Sequence, residues 1–302
     1  MMELGMVGLG RMGANMVQRL ARQGHSVIGQ DPDPGARRRI EGEGLRSAGD
    51  LPALVQALSA PRVLWLMVPA GRAVDETLDA LLPLLGPGDT VIDGGNSNYR
   101  DTLRRAGRLK EAGLHFVDCG TSGGVWGLAE GYSMMVGGDA AVVGRLRPIF
   151  ESLAPALDQG WGHVGPVGAG HFTKMVHNGI EYGMMQAYAE GFAILHHKQD
   201  FALDLPQVAE IWRRGSVVRS WLLDLTARAL GDDPSMAGLQ PWVDDSGEGR
   251  WTVAEAIDLH VPAPVITQAL IARLQSRDGE AFADRLLAAM RHQFGGHPVK
   301  TA

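Results

Sequence analysis

Short apolar runs recur along the first half of the chain, and between them the apolar residues fall at helical spacing. Residues 1–7 form one such run and lead into Gly8-Leu9-Gly10-Arg11-Met12-Gly13. Residues 14–23 read as a helix, and Ser26–Gln30 as a second strand that ends at Asp31. The alternation continues with strands at 62–68, 90–93, 114–118 and 133–136, and a short one near 163–164. Helical segments fall at 73–85, 99–112 and 140–153. Strands alternating with helices predict a parallel, doubly wound sheet, with ligands outside the strand C-terminal ends. Those ends gather Gly8, Asp31, Pro69, Asn96 and residues 119–124.

After about residue 168 the strand signals stop. Helices are expected at 171–198, 205–214, 220–230, 252–259, 263–275 and 280–294, with 232–249 as a polar loop region. Pro206, Pro262 and Pro264 suit helix starts or breaks. The expected architecture is α/β: a doubly wound Rossmann domain over residues 1–168, followed by an all-α domain over 169–302.

The first turn carries specific chemistry. Glycines let the backbone approach a pyrophosphate, and a helix N-terminus offers unpaired N–H groups and positive dipole to it. Gly8, Gly10, Met12 and Gly13 sit in this turn, with strand before and helix after. Asp31 follows about 20 residues later, where the dinucleotide fingerprint places its acid. Its carboxylate would accept the adenosine ribose hydroxyls and repel a 2′-phosphate, so NAD is favoured and NADP is the alternative. Arg37, Arg38 and Arg39 could answer a 2′-phosphate, but such a run at a helix start is more often solvated.

A second stretch draws attention in the helical half. Lys174, His177, Asn178 and Glu181 stand at i, i+3, i+4 and i+7, one face of a helix. Seven residues cover roughly 10 Å of axis, room for a small polar molecule between Lys and Glu. The plain alternative is a solvated polar face. Small and apolar neighbours (Gly168, Gly170, Gly179, Gly183, Met184, Met185) argue instead for a buried helix, where unpaired charges are costly.

Composition narrows the field. With 28 Lys+Arg against 34 Asp+Glu, the net charge of −6 gives no sign of a nucleic-acid or membrane surface. No apolar run nears the roughly 20 residues that span a bilayer, so cytoplasm is the default. The lone Cys119 excludes an internal disulfide and a cysteine-based metal site, and it reads as a small buried residue. No metal cluster is evident: the adjacent His196 and His197 do not share a helix face. Met134, Met135, Met184 and Met185 read as core filler, and Trp126 as either pocket wall or packing.

Four separated motifs together resemble the decarboxylating 6-phosphogluconate dehydrogenase family. They are Gly8 to Gly13, Ile92-Asp93-Gly94-Gly95-Asn96-Ser97, Ser122-Gly123-Gly124, and Lys174-x-x-His177-Asn178-x-x-Glu181-Tyr182. The chain is similar to the family's short form, lacking room for the second helical repeat of the long form. The resemblance implies oxidative decarboxylation of 6-phosphogluconate, with Lys174 as general base and Glu181 as general acid. It implies substrate contacts from Ser122, Gly123, Gly124, His177 and Asn178, and phosphate contacts from Tyr182 and Arg273. Asn96 would lie between cofactor and substrate. Arg291 and His297 match a pair that reaches a neighbouring subunit's site, which implies a homodimer or homotetramer.

One segment departs from the family. Where the long form has Lys-Gly-Thr-Gly-Lys-Trp-Thr, this chain has Ser246-Gly247-Glu248-Gly249-Arg250-Trp251-Thr252. A carboxylate beside a phosphate is repulsive. Either Glu248 turns away and Arg250, Arg273 and Arg291 hold the phosphate, or the substrate is not phosphorylated. The rival classes are a non-decarboxylating β-hydroxyacid dehydrogenase of the 3-hydroxyisobutyrate type, and a non-catalytic dinucleotide sensor. The intact pair Lys174 and Glu181 argues against the second.

Overall fold

The computed structural model describes residues 1–295 and 298–300. The chain divides into two compact units, Met1–Asn178 and Gly179–Ala302, and the division falls inside one long helix.

The first unit is built on an eight-stranded sheet: β1 (Glu3–Val7), β2 (Ser26–Gln30), β3 (Arg46–Ala48), β4 (Val63–Leu66), β5 (Thr90–Asp93), β6 (His115–Ser122), β7 (Ser133–Gly137) and β8 (Trp161–Gly165). The order across the sheet is β3-β2-β1-β4-β5-β6-β7-β8. The helices are α1 (Arg11–Arg22), α2 (Pro34–Glu41), α3 (Leu51–Gln56), α4 (Arg72–Leu81), α5 (Tyr99–Glu111), α6 (Gly127–Glu130) and α7 (Ala140–Leu153). Neighbouring strands run parallel except β6 and β7, which are antiparallel and pair Asp118 with Gly137 through Ser122 with Ser133. The wholly parallel sheet expected from the alternation is corrected there. Only α6, four residues long, and one short 3₁₀ turn separate β6 from β7, too little chain for a parallel crossover.

Strand alternation sends successive residues to opposite layers. Leu4, Met6, Trp65 and Ile92 join one core with Met16, Leu20 and Phe150. Val7, Leu64, Leu66 and Val91 join the other with Leu54, Leu78 and Leu109. Each such aliphatic side chain, fully withdrawn from water, contributes about 2 kcal/mol.

The long helix α8 (Ala169–His197) starts against β6. Asp118, fully buried on β6, accepts the amides of Gly168 at 2.7 Å and His171 at 2.8 Å. A carboxylate on the first amides of a helix satisfies their donors and complements the dipole. Close approach is enforced by glycine: a Cβ at Gly120 would sit 2.3 Å from Lys174 Cβ, and one at Gly170 would sit 2.4 Å from the Met135 carbonyl.

The second unit consists of the later turns of α8 with α9 (Leu205–Arg213), α10 (Trp221–Asp232), α11 (Glu248–Asp258), α12 (Pro264–Gln275) and α13 (Phe282–Gly295). Asp204 caps α9 through the Gln207 amide, and Ser220 caps α10 through Leu223. Among the described residues no strand follows Gly165. Phe192, Leu205, Ala209, Leu223, Ala227 and Leu230 form its main core. The expectation that α8 is buried throughout is corrected. Gly179, Tyr182 and Gly183 are buried, but Met184 is 38% exposed, Met185 40% and Ile194 72%. Met184 lines an apolar groove rather than filling a core.

Candidate active site

Three glycines in the β1–α1 turn serve different ends. Gly8 has φ +96°, and a Cβ there would meet the Met67 carbonyl at 2.5 Å. A Cβ on Gly13 would lie 2.0 Å from the Gly8 carbonyl, so α1 packs directly under the turn. At Gly10 nothing lies within 4 Å, which leaves the backbone open to a ligand. Gly10 gives α1 no side-chain cap, so its first amides can receive an anion. A cavity of about 830 Å³ opens here, lined by Gly8, Gly10, Met12, Gly13, Asp31 and Pro69 among others.

Asp31 follows the C-terminal end of β2, half-buried. One carboxylate oxygen accepts the Leu9 amide at 2.7 Å and the other the Asp33 amide at 2.8 Å. Each oxygen keeps capacity for a further donor such as a ribose hydroxyl. Arg37 donates to the carbonyls of Asp31 at 2.5 Å and Pro32 at 3.3 Å, so it is spent partly on the backbone. The cavity, open glycine and acid together suit a dinucleotide.

The loop after β5 is braced from below. Asp93 accepts Ser97 Oγ at 2.7 Å and the Gly95 amide at 3.2 Å. Arg105, 1% exposed, stands 3.6 Å from Asp93, donates to Ser97 Oγ at 3.2 Å, and binds both oxygens of Asp75 at 2.9 and 3.1 Å. Asn96 rides exposed on top of this brace. The bond from Arg105 holds the Asp75 carboxyl below its ordinary range against the opposing effect of burial, and Arg104 adds to the lowering. A depressed carboxyl stabilises the fold fully above about pH 4 and loses that effect as pH falls through its lower folded-state pKa. Asp75→Asn is therefore expected to cost about 1 kcal/mol near neutrality and to flatten the acid limb of stability. Urea titrations across the acid range measure this, and an unchanged limb would contradict it.

Ser122 closes β6, and Gly123 and Gly124 turn the chain with φ +134° and +51°. A Cβ at Gly123 would meet the Tyr132 ring at 3.1 Å. Two residues before Ser122, Gly120 makes room for the first carbons of the Lys174 side chain and for the Gly170 carbonyl. Lys174 is 5% exposed, and its Nζ donates to Asn178 Oδ1 at 2.7 Å, with His177 Nδ1 at 3.3 Å. His177 Nδ1 also lies 3.1 Å from that amide oxygen. With its oxygen so engaged, the Asn178 amide group keeps two N–H donors for a ligand. Cys119 takes no part: burial pushes its thiol up to about 12.

In the second unit Tyr182 is buried beneath Arg273, whose guanidinium stacks 3.4 Å from the ring centroid. Arg273 donates to the Asp244 carbonyl at 2.9 Å. The Tyr182 hydroxyl donates to Asp245 at 3.3 Å and lies 3.5 Å from Ser246 Oγ. Arg250 Nε donates to Asp245. Glu248 is 5% exposed and accepts Ser246 Oγ at the first turn of α11, where the helix dipole favours a carboxylate. Glu181 is half-buried on α8, and Arg291 is exposed on α13. His297 lies outside the described residues. Among the described residues no group of three or more His, Cys, Asp or Glu side chains could hold a metal ion.

Sequence reasoning missed Asp118, Arg105 and Asp245. The available signal was a charged residue inside an apolar strand for Asp118, and nothing comparable for the others.

A Rossmann domain whose last strands lead into a lysine-bearing helix, followed by a helical domain, defines a class of dinucleotide-dependent dehydrogenases. Residues 3–162 match the NAD binding domain of 6-phosphogluconate dehydrogenase, and residues 170–299 match the 6-phosphogluconate dehydrogenase C-terminal domain. The NAD(+)-dependent, decarboxylating 6-phosphogluconate dehydrogenase of Haloferax volcanii is 44% identical over 299 residues, covering 99% of this chain and 98% of that one. YqeC of Bacillus subtilis is 42% identical over 299 residues, 99% of each chain. The structure of Plasmodium falciparum 6-phosphogluconate dehydrogenase superposes with a TM-score of 0.84 at 28% identity, over 99% of this chain and 66% of that one. The chain belongs to the 6-phosphogluconate dehydrogenase family.

Proposed function

We infer that this chain is an NAD-dependent oxidoreductase that converts 6-phospho-D-gluconate to D-ribulose 5-phosphate and CO2, the decarboxylating step of pentose phosphate and gluconate use. The observation that carries the reading is the buried Lys174, held at 2.7 Å from Asn178 on the helix that also bears Glu181. The nicotinamide, bound with its dinucleotide along Gly8 to Gly13 and Asp31, supplies the hydride acceptor.

A lysine serves as base only in its neutral form. Neutral Lys174 takes the proton of the C3 hydroxyl as that carbon is oxidised. The resulting β-keto acid loses CO2, because the keto group accepts the electrons. Protonated Lys174 and the Asn178 amide then donate to the enolate oxygen. Glu181 delivers a proton to C1 of the enediol; seven residues along a helix place it roughly 10 Å from Lys174 along the axis, suited to a different carbon. Asn96, Ser122, Gly123, Gly124 and His177 orient the sugar acid, Tyr182, Arg250 and Arg273 hold its phosphate, and Arg291 and His297 reach the site of a neighbouring subunit. Glu248 is 5% exposed and turned onto Ser246, which supports the arrangement in which it faces away from the phosphate. Reduced cofactor formed with 6-phosphogluconate and not with 3-hydroxyisobutyrate is the expected result; the reverse pattern contradicts the reading.

The cofactor is NAD. Asp31→Ser is expected to raise activity with NADP relative to NAD about tenfold, because it removes the repulsion of a 2′-phosphate. Paired KM measurements check this, and a wild-type preference for NADP overturns it.

The enzyme is a homo-oligomer, dimer or tetramer, of the cytoplasm. Support comes from the second unit's surface, where Met184, Ile194, Phe201, Val217, Trp221 and Phe282 are exposed. Sedimentation velocity at micromolar concentration decides it, a monomer being the contrary result. No helix of the described residues is long and apolar enough to cross a membrane.

A further inference from the structure

Of the three residues Asp244, Asp245 and Glu248 near the arginines of the second unit, Asp245 is the one with no exposed side-chain surface and several cationic or polar donors. One oxygen accepts the Tyr182 hydroxyl at 3.3 Å and the Gly247 amide at 3.1 Å. The other accepts Arg250 Nε and lies 3.6 Å from Arg277 Nη2. It thereby ties α8, the turn before α11, α11 itself and the segment just after α12 to one carboxylate. Arg250, in contrast, is 54% exposed.

We propose that Asp245 is a positioning residue for the substrate's terminal phosphate: from behind, it fixes the Arg250 guanidinium at the angle from which it takes that group. The inference rests on the phosphorylated substrate proposed above. A guanidinium has five N–H donors in a fixed fork. Asp245 takes the Nε edge, and the Nη groups remain for a phosphate. Asp244 does the equivalent for Arg273 with its backbone carbonyl, while the Tyr182 ring supports the same guanidinium from below. A lysine presents its three donors from one nitrogen and lacks the separate, fixed edges of the guanidinium fork. That explains how Arg250 serves here although Ser246 has replaced the long form's lysine.

A contrary arrangement is conceivable on charge alone. Asp245 would then be an internal anion that competes with phosphate for the arginines. Burial decides against it, since a carboxylate with no accessible surface cannot exchange with an incoming ligand without opening the turn. Burial opposes its ionisation, yet Arg250, the Gly247 amide and Tyr182 hold the Asp245 carboxyl below its ordinary range. It is therefore an anion near neutral pH, as a partner for Arg250 must be.

The test compares wild type, Asp245→Asn and Arg250→Lys by the ratio of kcat/KM on 6-phosphogluconate to kcat/KM on unphosphorylated gluconate. Asp245→Asn keeps the shape and removes the charge, and is expected to lower the ratio about tenfold, through KM. Arg250→Lys keeps the charge and removes the fork, and is expected to do the same. A purely structural role would lower both substrates together and leave the ratio unchanged; a competing anion would raise it. Either result overturns the proposal. Should Asp245→Asn not fold, the exposed Arg250→Lys decides by the same ratio. A second arm is independent of turnover: inorganic phosphate should raise Tm of wild type and raise that of the variants much less. If wild type fails to oxidise 6-phosphogluconate, the functional reading fails, and the phosphate arm still judges Asp245. Equal Tm shifts, or none in wild type, count against it.

Discussion

Lys174→Ala is expected to lower kcat about a thousandfold while leaving NAD affinity within about twofold of wild type. The amine is 5% exposed and fixed at 2.7 Å from Asn178, so no solvent base reaches the same place with the same aim. The dinucleotide cavity draws its walls from β1, β2, α1 and α4, none of which contains Lys174. Alanine at 174 keeps the Cβ that packs on Gly120, so the seat of the helix is preserved. Steady-state kinetics with a parallel NAD titration separate the two effects. Turnover surviving within about tenfold of wild type would remove Lys174 from the base role.

The second large effect concerns stability. Arg105→Ala is expected to cost about 3–5 kcal/mol, because it strands a buried carboxylate. Asp93, its neighbour at 3.6 Å, has a side chain only 1% exposed and no water to turn to. Asp75 loses both its bonds to the same guanidinium. Urea unfolding at neutral pH measures the loss. The loop carrying Gly95 to Ser97 hangs on Asp93, so the variant should also raise KM for both cofactor and substrate through Asn96. A loss under about 1 kcal/mol would mean that water or a rearranged loop replaces the arginine.

These two residues differ in how far the sequence exposed them. Lys174 was legible, because its partners His177, Asn178 and Glu181 lie within seven residues and helical spacing gathers them. The Gly8 to Gly13 turn was legible for the same reason, since a close backbone approach demands glycine at fixed short offsets. Arg105 was not, because it meets Asp75 across 30 positions and Asp93 across a strand-to-helix connection. Asp118 meets Gly168 across 50. Only folding brings such pairs together, and a single sequence carries no periodicity for them.

The fold follows the same division. Ser26–Gln30, Thr90–Asp93 and Ala140–Leu153 were read to the residue, since strong apolar patterning and clear caps bound them. The short β3 and α3 escaped notice because six residues or fewer offer little period to read. The antiparallel direction of β7 is not legible in its short apolar run, which suits a buried parallel strand equally well. Met184 and Met185 are exposed rather than core because methionine fits apolar surface as readily as an interior. At the phosphate end the sequence left Glu248 as a puzzle. The structure turns Glu248 inward onto Ser246, and the acid that Arg250 meets is Asp245.

The central claim is that oxidation at C3 and loss of C1 occur in one site. Its most direct measurement is the yield of CO2 from 6-phosphogluconate labelled at C1, counted against reduced NAD formed in the same vessel. One labelled CO2 for each reduced cofactor, with ribulose 5-phosphate as the other product, is the predicted result. Cofactor reduction without release of label would show a dehydrogenase that stops at the keto acid, and would contradict the roles given to Lys174 and Glu181.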